Sequence, residues 1–141
     1  MAVFKDLLAY KKAFELAIEI HMITKDFPKE ERFALIDQIR RSSRSVFSNM
    51  AEGFRKLRYK AHFISKMTDA DMENTETGVW LDFSIAFEYL KESDYKNLFL
   101  KSEEVGRLLN HIIENPEKYG VKNIWRLPTA NCLLSTVNTV N

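Results

Sequence analysis

The side chains in this sequence best suited to recognising a partner are its arginines. From residue 40 to residue 60 there are seven basic residues, Arg40, Arg41, Arg44, Arg55, Lys56, Arg58 and Lys60, against one acid, Glu52. Arg40 and Arg44 are four positions apart, so on a helix they share a face. A guanidinium is a planar fork of donors that matches phosphate oxygens. Arg40, Arg41, Arg44, Arg55, Lys56 and Arg58 are therefore candidate phosphate contacts, with RNA or DNA as the partner. A second block has the opposite sign. From residue 69 to residue 94 there are eight acids, Asp69, Asp71, Glu73, Glu76, Asp82, Glu88, Glu92 and Asp94, against Lys91. The whole chain carries a formal net charge of +1, so no global field pulls it toward a polyanion.

Two readings of this pattern compete. In one, the basic and acidic segments lie antiparallel and pair, within a chain or between subunits, and Asp37 also pairs with Arg41 at the i,i+4 spacing. In the other, Arg40, Arg41 and Arg44 stay unpaired and meet phosphates. The cations after Gly53 also suit the negative end of a helix dipole without any ligand.

A search for catalysis is negative. The four glycines, Gly53, Gly78, Gly106 and Gly120, are isolated and form no phosphate-cradling loop. No His-Glu-x-x-His or Cys-x-x-Cys pattern occurs. His21, His62 and His111 are scattered, and structural roles are expected for them. Glu73 and Glu76 are three apart, but a di-iron bundle site also needs Glu-x-x-His, which is absent. Cys132, the only cysteine, has no cation nearby in sequence to lower its pKa and no partner for an internal disulfide. Ser42, Ser43 and Ser45 read as small residues that allow close helix packing. The expectation is no catalytic residue, no metal and no cofactor.

These residues must be positioned by helices. Glycine and proline are too scarce for a turn-rich β architecture, with four and three copies in 141 residues. Helical periodicity marks four segments. The first, about 4–26, has a face of Leu7, Tyr10, Phe14, Ala17, Ile18 and His21, and stops at Phe27-Pro28. The second, about 29–53, has Phe33, Ile36, Ile39, Ser43, Val46, Phe47 and Met50, with Gly53 as its C-terminal cap. The third, about 59–91, carries one stripe of Phe63, Met67, Ala70, Asn74, Thr77, Leu81 and Ser84. A neighbouring stripe has Trp80, Phe83, Phe87 and Leu90. Gly78 inside this helix suggests a close helix approach. The fourth, about 94–114, has Leu98, Ser102, Val105, Leu108, Leu109 and Ile112, and ends at Asn115-Pro116.

Short loops make such helices antiparallel neighbours. The expected fold is all-α, an up-down-up-down four-helix bundle over residues 1–116, with an irregular tail over 117–141. No run approaches ~18 uninterrupted apolar residues, and the opening residues lack a signal-peptide pattern. No membrane association is expected, and the expected location is the cytoplasm.

The segment from Gln38 to Lys56, QIRRSSRSVFSNMAEGFRK, resembles the signature of the 23S ribosomal RNA intervening-sequence protein family, also called the four helix bundle protein family. The matching positions are Gln38, Ile39, Arg40, Arg41, Ser45, Asn49, Ala51, Glu52 and Gly53. Phe4-Lys5-Asp6-Leu7, the Ala-Phe-Glu-Leu stretch at 13–16 and Phe27-Pro28 match as well. Met50 stands where that family usually has Ile. The resemblance implies a homo-oligomer, by analogy a pentameric ring of bundles. It also implies kinship with the accessory proteins of diversity-generating retroelements, whose basic surfaces associate with nucleic acid and a reverse transcriptase. The expectation is a non-catalytic oligomer binding nucleic acid through its basic second helix. The alternative is a structural or adaptor oligomer that takes a protein partner and no nucleic acid.

Overall fold

The computed structural model describes residues 7–121. Among them are four long helices and no strand: α1 (Leu8–Ile23), α2 (Leu35–Phe54), α3 (Lys60–Ala86) and α4 (Glu92–Glu114). Single 3-10 turns lie at Thr24–Asp26, Lys29–Glu31 and Pro116–Tyr119. Each helix packs on its sequence neighbours, and α1 closes the bundle against α4. Side-chain pairs run in opposite directions along every one of these contacts. Arg41 meets Glu76 while Glu52 meets Lys66, so α2 and α3 are antiparallel. Asn74 meets Ser102 while Asp82 meets Tyr95, so α3 and α4 are too. Glu19 pairs with Lys101 and Lys12 with Glu104 across α1 and α4. His21 meets Arg44 and Phe14 meets Phe47 across α1 and α2. The expected up-down-up-down bundle is the observed fold.

The core follows from the 3.6-residue period. All seven residues of the first α3 stripe, Phe63 through Ser84, are buried. Its small polar centre is an inter-helix seam. Asn74 donates to the Ser102 carbonyl at 2.8 Å and accepts from the Ser102 hydroxyl. Ser42 and Thr77 share a buried hydroxyl–hydroxyl bond of 2.8 Å. Buried polar groups must be satisfied, and these are paired across helices, which also fixes helix register.

Four details differ from the expectation, each for a local reason. In α1 the buried face is Ala9, Ala13, Leu16, Ala17 and Ile20, while Phe14 and Ile18 are exposed. Small side chains let α1 sit close, and the larger ones turn outward. α2 begins at Leu35, not 29, because Pro28 opens a separate 3-10 turn. The Glu31 carboxylate then caps α2 by accepting from the Leu35 N–H at 3.1 Å. Phe33 therefore falls outside the helix and is 85% exposed. α3 ends at Ala86 because Glu88 adopts φ 62, in the left-handed region. The Glu88 N–H bonds Ile85 and the Tyr89 N–H bonds Ser84, which satisfies the last carbonyls of the helix. Phe87 is consequently an exposed cap residue, whereas Leu90 folds back into the core.

The glycines exchange roles. Gly53 lies within α2, and a Cβ there would stand 2.3 Å from Met67 Cε and 3.0 Å from Lys66 Cβ. A Cβ at Gly78 would meet nothing within 4 Å. Close approach thus belongs to Gly53, and Gly78 marks none. At the other end, Pro116 and Val121 are buried and Lys60 pairs with Glu117, so packing continues through the last described residues. Most of the expected tail of 117–141, with Cys132, lies outside the described residues.

Candidate functional site

The outer face of α2 carries the candidate arginines. An open groove of about 660 Å³ runs along it, lined by Arg32, Arg40, Arg41 and Arg44 with Asp37 as the one acid, and by Phe33 and Phe47 among its apolar residues. Arg40 and Arg44 sit one turn apart, a rise of about 6 Å. A second hollow of about 320 Å³ shares Arg44 and Phe47 with the first and adds Phe14, Ile18 and His21 from α1.

The three arginines differ in what they already hold. Arg41 donates to Glu76 at 2.7 Å and approaches Glu73 at 3.5 Å. Its bond to Glu76 raises its pKa above the ordinary guanidinium value. The acidic third helix therefore neutralises Arg41, and the expected Asp37 pair is displaced by the reach across to α3. Burial pushes the Glu76 carboxyl up, but its bonds from Trp80 and Arg41 outweigh this and its pKa falls. Arg40 donates to the Thr24 hydroxyl at 2.8 Å and to the His21 carbonyl at 3.2 Å, both neutral acceptors. Arg44 reaches His21 Nδ1 at 3.1 Å. No carboxylate pair forms with Arg40 or Arg44 among the described residues, so their charge remains uncompensated.

His21 records that field. Its pKa is lowered from the ordinary 6.5 by desolvation and by the nearby charges of Arg40, Lys25 and Arg44. A neutral imidazole can accept the Arg44 N–H, and an imidazolium cannot.

Arg55, Lys56 and Arg58 are exposed, but they stand at the far end of α2 and in the loop to α3. Arg44 and Arg55 are eleven residues apart, about three helical turns or roughly 16 Å. They lie on one side of α2, yet the six candidates form two groups rather than one patch. Sequence reasoning missed Arg32 and Phe33. A usable signal was present: Leu35, Ile36, Ile39, Ser43, Val46, Met50 and Gly53 make a complete buried face without Phe33.

Asn49, Glu52 and Gly53 of the signature serve the fold. Lys66 of α3 bonds Glu52 at 2.6 Å and Asn49 Oδ1 at 3.4 Å, and Gly53 makes room for the neighbouring Met67. The Asn49-to-Gly53 segment is thus a clamp between α2 and α3 within one chain. Among the described residues no group of three His, Cys, Asp or Glu could hold a metal ion. No helix there is long and apolar enough to cross a membrane.

The family described as 23S rRNA-intervening sequence protein matches this chain over residues 5–111. The chain belongs to that family. The match takes in α1, α2, α3 and most of α4 of the intervening-sequence protein, with both halves of the basic segment. A similar solved structure is that of a protein with unknown function from the S23 ribosomal protein family of Bacteroides thetaiotaomicron. It is 29% identical, with a TM-score of 0.67 over 76% of this chain and 99% of that one. No curated protein matches this intervening-sequence protein.

Proposed function

We propose that this intervening-sequence protein is a non-catalytic homo-oligomer that binds nucleic acid through the outer face of α2. One observation carries the reading. The groove on that face gathers four guanidiniums around a single carboxylate, and two of them, Arg40 and Arg44, meet no acid within the described residues. Phosphate contacts are individually weak and add up steeply, and repetition of the face around an oligomer multiplies them. Arg55 lies on the same side of α2 as Arg44, with Lys56 and Arg58 in the loop beyond as a second group, and Arg41 joins when a phosphate outcompetes its acids. The test is fluorescence anisotropy with a labelled RNA hairpin at about 50 mM and about 200 mM salt. Arg40→Ala/Arg44→Ala should weaken binding and shallow the salt dependence. Affinity indifferent to salt overturns the proposal.

A second reading is favoured by a specific observation. Arg41 is held by Glu73 and Glu76, and Phe83 and Phe87 stand exposed beside that acidic helix. This arrangement suits a structural or adaptor oligomer whose α3 meets a protein, a reverse transcriptase being one such partner. Light-scattering mass with and without RNA separates the two. An oligomer that takes up RNA at low salt supports the first, and one that ignores it at both salts supports the second. The cytoplasm is the proposed setting for either.

A further inference from the structure

The α2 face combines charge with unpartnered apolar surface, and that combination selects one form of nucleic acid. Phe33 projects from the turn before α2 with 85% of its surface exposed, and the Arg32 guanidinium lies 5.3 Å from its ring centroid. An exposed ring of this size has no role in the core of this chain. On the other flank of the groove, Phe14 and Ile18 line the second hollow, and both are about half exposed. Arg44 borders both hollows. Uncompensated cations therefore occupy the middle, with apolar surfaces to either side. A duplex presents phosphates outward and keeps its base faces stacked inside, so it can use only the cations. A single strand presents phosphates and base faces together, and every base has a π-face that can stack on an aromatic ring.

We infer that the α2 groove takes single-stranded nucleic acid, with phosphates on Arg40 and Arg44 and a base stacked on Phe33. This rests on the nucleic-acid reading above and narrows it. Arg32 then covers one face or edge of the Phe33 ring and adds a cation beside the stacked base. The Phe14–Ile18 hollow accepts an adjacent base on the α1 side of Arg44.

The experiment compares a labelled oligoadenylate with a labelled duplex of the same length, using the full chain at low and physiological salt. The single strand should bind more tightly. Phe33→Ala should weaken it by about 5- to 150-fold, the range of one lost base–aromatic stack, and leave the duplex nearly unchanged. Phe33→Trp should restore single-strand binding. Light-scattering mass of Phe33→Ala should equal that of the parent. Equal affinity for both probes, or a single-strand affinity that ignores Phe33→Ala, overturns the inference while salt-dependent duplex binding keeps the broader reading intact. No uptake of either probe at low salt removes both. A fall in mass on Phe33→Ala places the ring between copies of the chain and also overturns the inference.

Discussion

Replacing Gly53 and Gly78 separately by alanine isolates the packing between α2 and α3. Both glycines lie inside helices with no positive φ, so helix propensity alone gives each substitution about 0.5–1 kcal/mol of stabilisation. At Gly78 the new methyl meets nothing within 4 Å, and that gain should appear in full. At Gly53 it would stand 2.3 Å from Met67 Cε and 3.0 Å from Lys66 Cβ. The Met67 methyl can swing aside only within a fully buried site. The Lys66 Cβ is fixed to its helix, and its side chain is engaged with Glu52. Overpacking of this kind costs about 1–3 kcal/mol. The two variants should therefore differ by roughly 1–3 kcal/mol, with Gly78→Ala above the parent and Gly53→Ala at or below it. Urea melts of the full chain at one fixed protomer concentration measure the difference. Gly53→Ala in a Met67→Leu background, which removes the terminal methyl, should recover part of the loss. Equal stabilisation by the two alanines refutes the close approach.

Other consequences follow from single contacts. Ser42→Ala and Thr77→Val should each cost about 0.5–1.5 kcal/mol by removing the hydroxyl–hydroxyl bond, because the remaining hydroxyl keeps its bond to the carbonyl of Ile39 or Glu73. The double variant should cost less than the sum, as a double-mutant cycle in urea would read. Glu88→Gly should stabilise by about 1 kcal/mol, because φ 62 strains a residue with a Cβ; an unchanged melting temperature would refute the strain. His21 has a folded pKa below its unfolded one, so the unfolded chain binds more protons and stability falls as pH drops through about 6.5. His21→Gln should flatten that step, and a slope that survives the substitution assigns it to another group. The lowered carboxyls of Glu52, Glu76 and Glu117 act in the same direction only near and below the ordinary 4.5. Glu76→Gln should therefore reduce acid sensitivity there while leaving the His21 step in place.

The sequence by itself determined the bundle. Four periodic stretches, scarce Gly and Pro and short connections leave little else, because each amphipathic face must be buried and short loops force antiparallel neighbours. It also determined the α4 stripe and the first α3 stripe almost residue by residue, whereas of the second α3 stripe Phe83 and Phe87 are exposed. It placed Arg40, Arg41 and Arg44 on a shared helix and named the family. The tertiary structure decided which partner each group finds. α1 has two apolar faces, and only packing selects the alanine-rich one, because small side chains bring the helices closer. The offset of α2 by the turn after Pro28 is a local geometry, and it moves Phe33 from the expected core face to the surface. Arg41 could meet Asp37, Glu73 or a phosphate as far as spacing shows. The antiparallel register of α2 and α3 fixes the choice by bringing Glu73 and Glu76 across to it, while Arg40 and Arg44 face α1, where the groups that meet them are neutral. Charge patterning along a chain is one-dimensional, and Coulomb energies depend on distances that only the folded register sets.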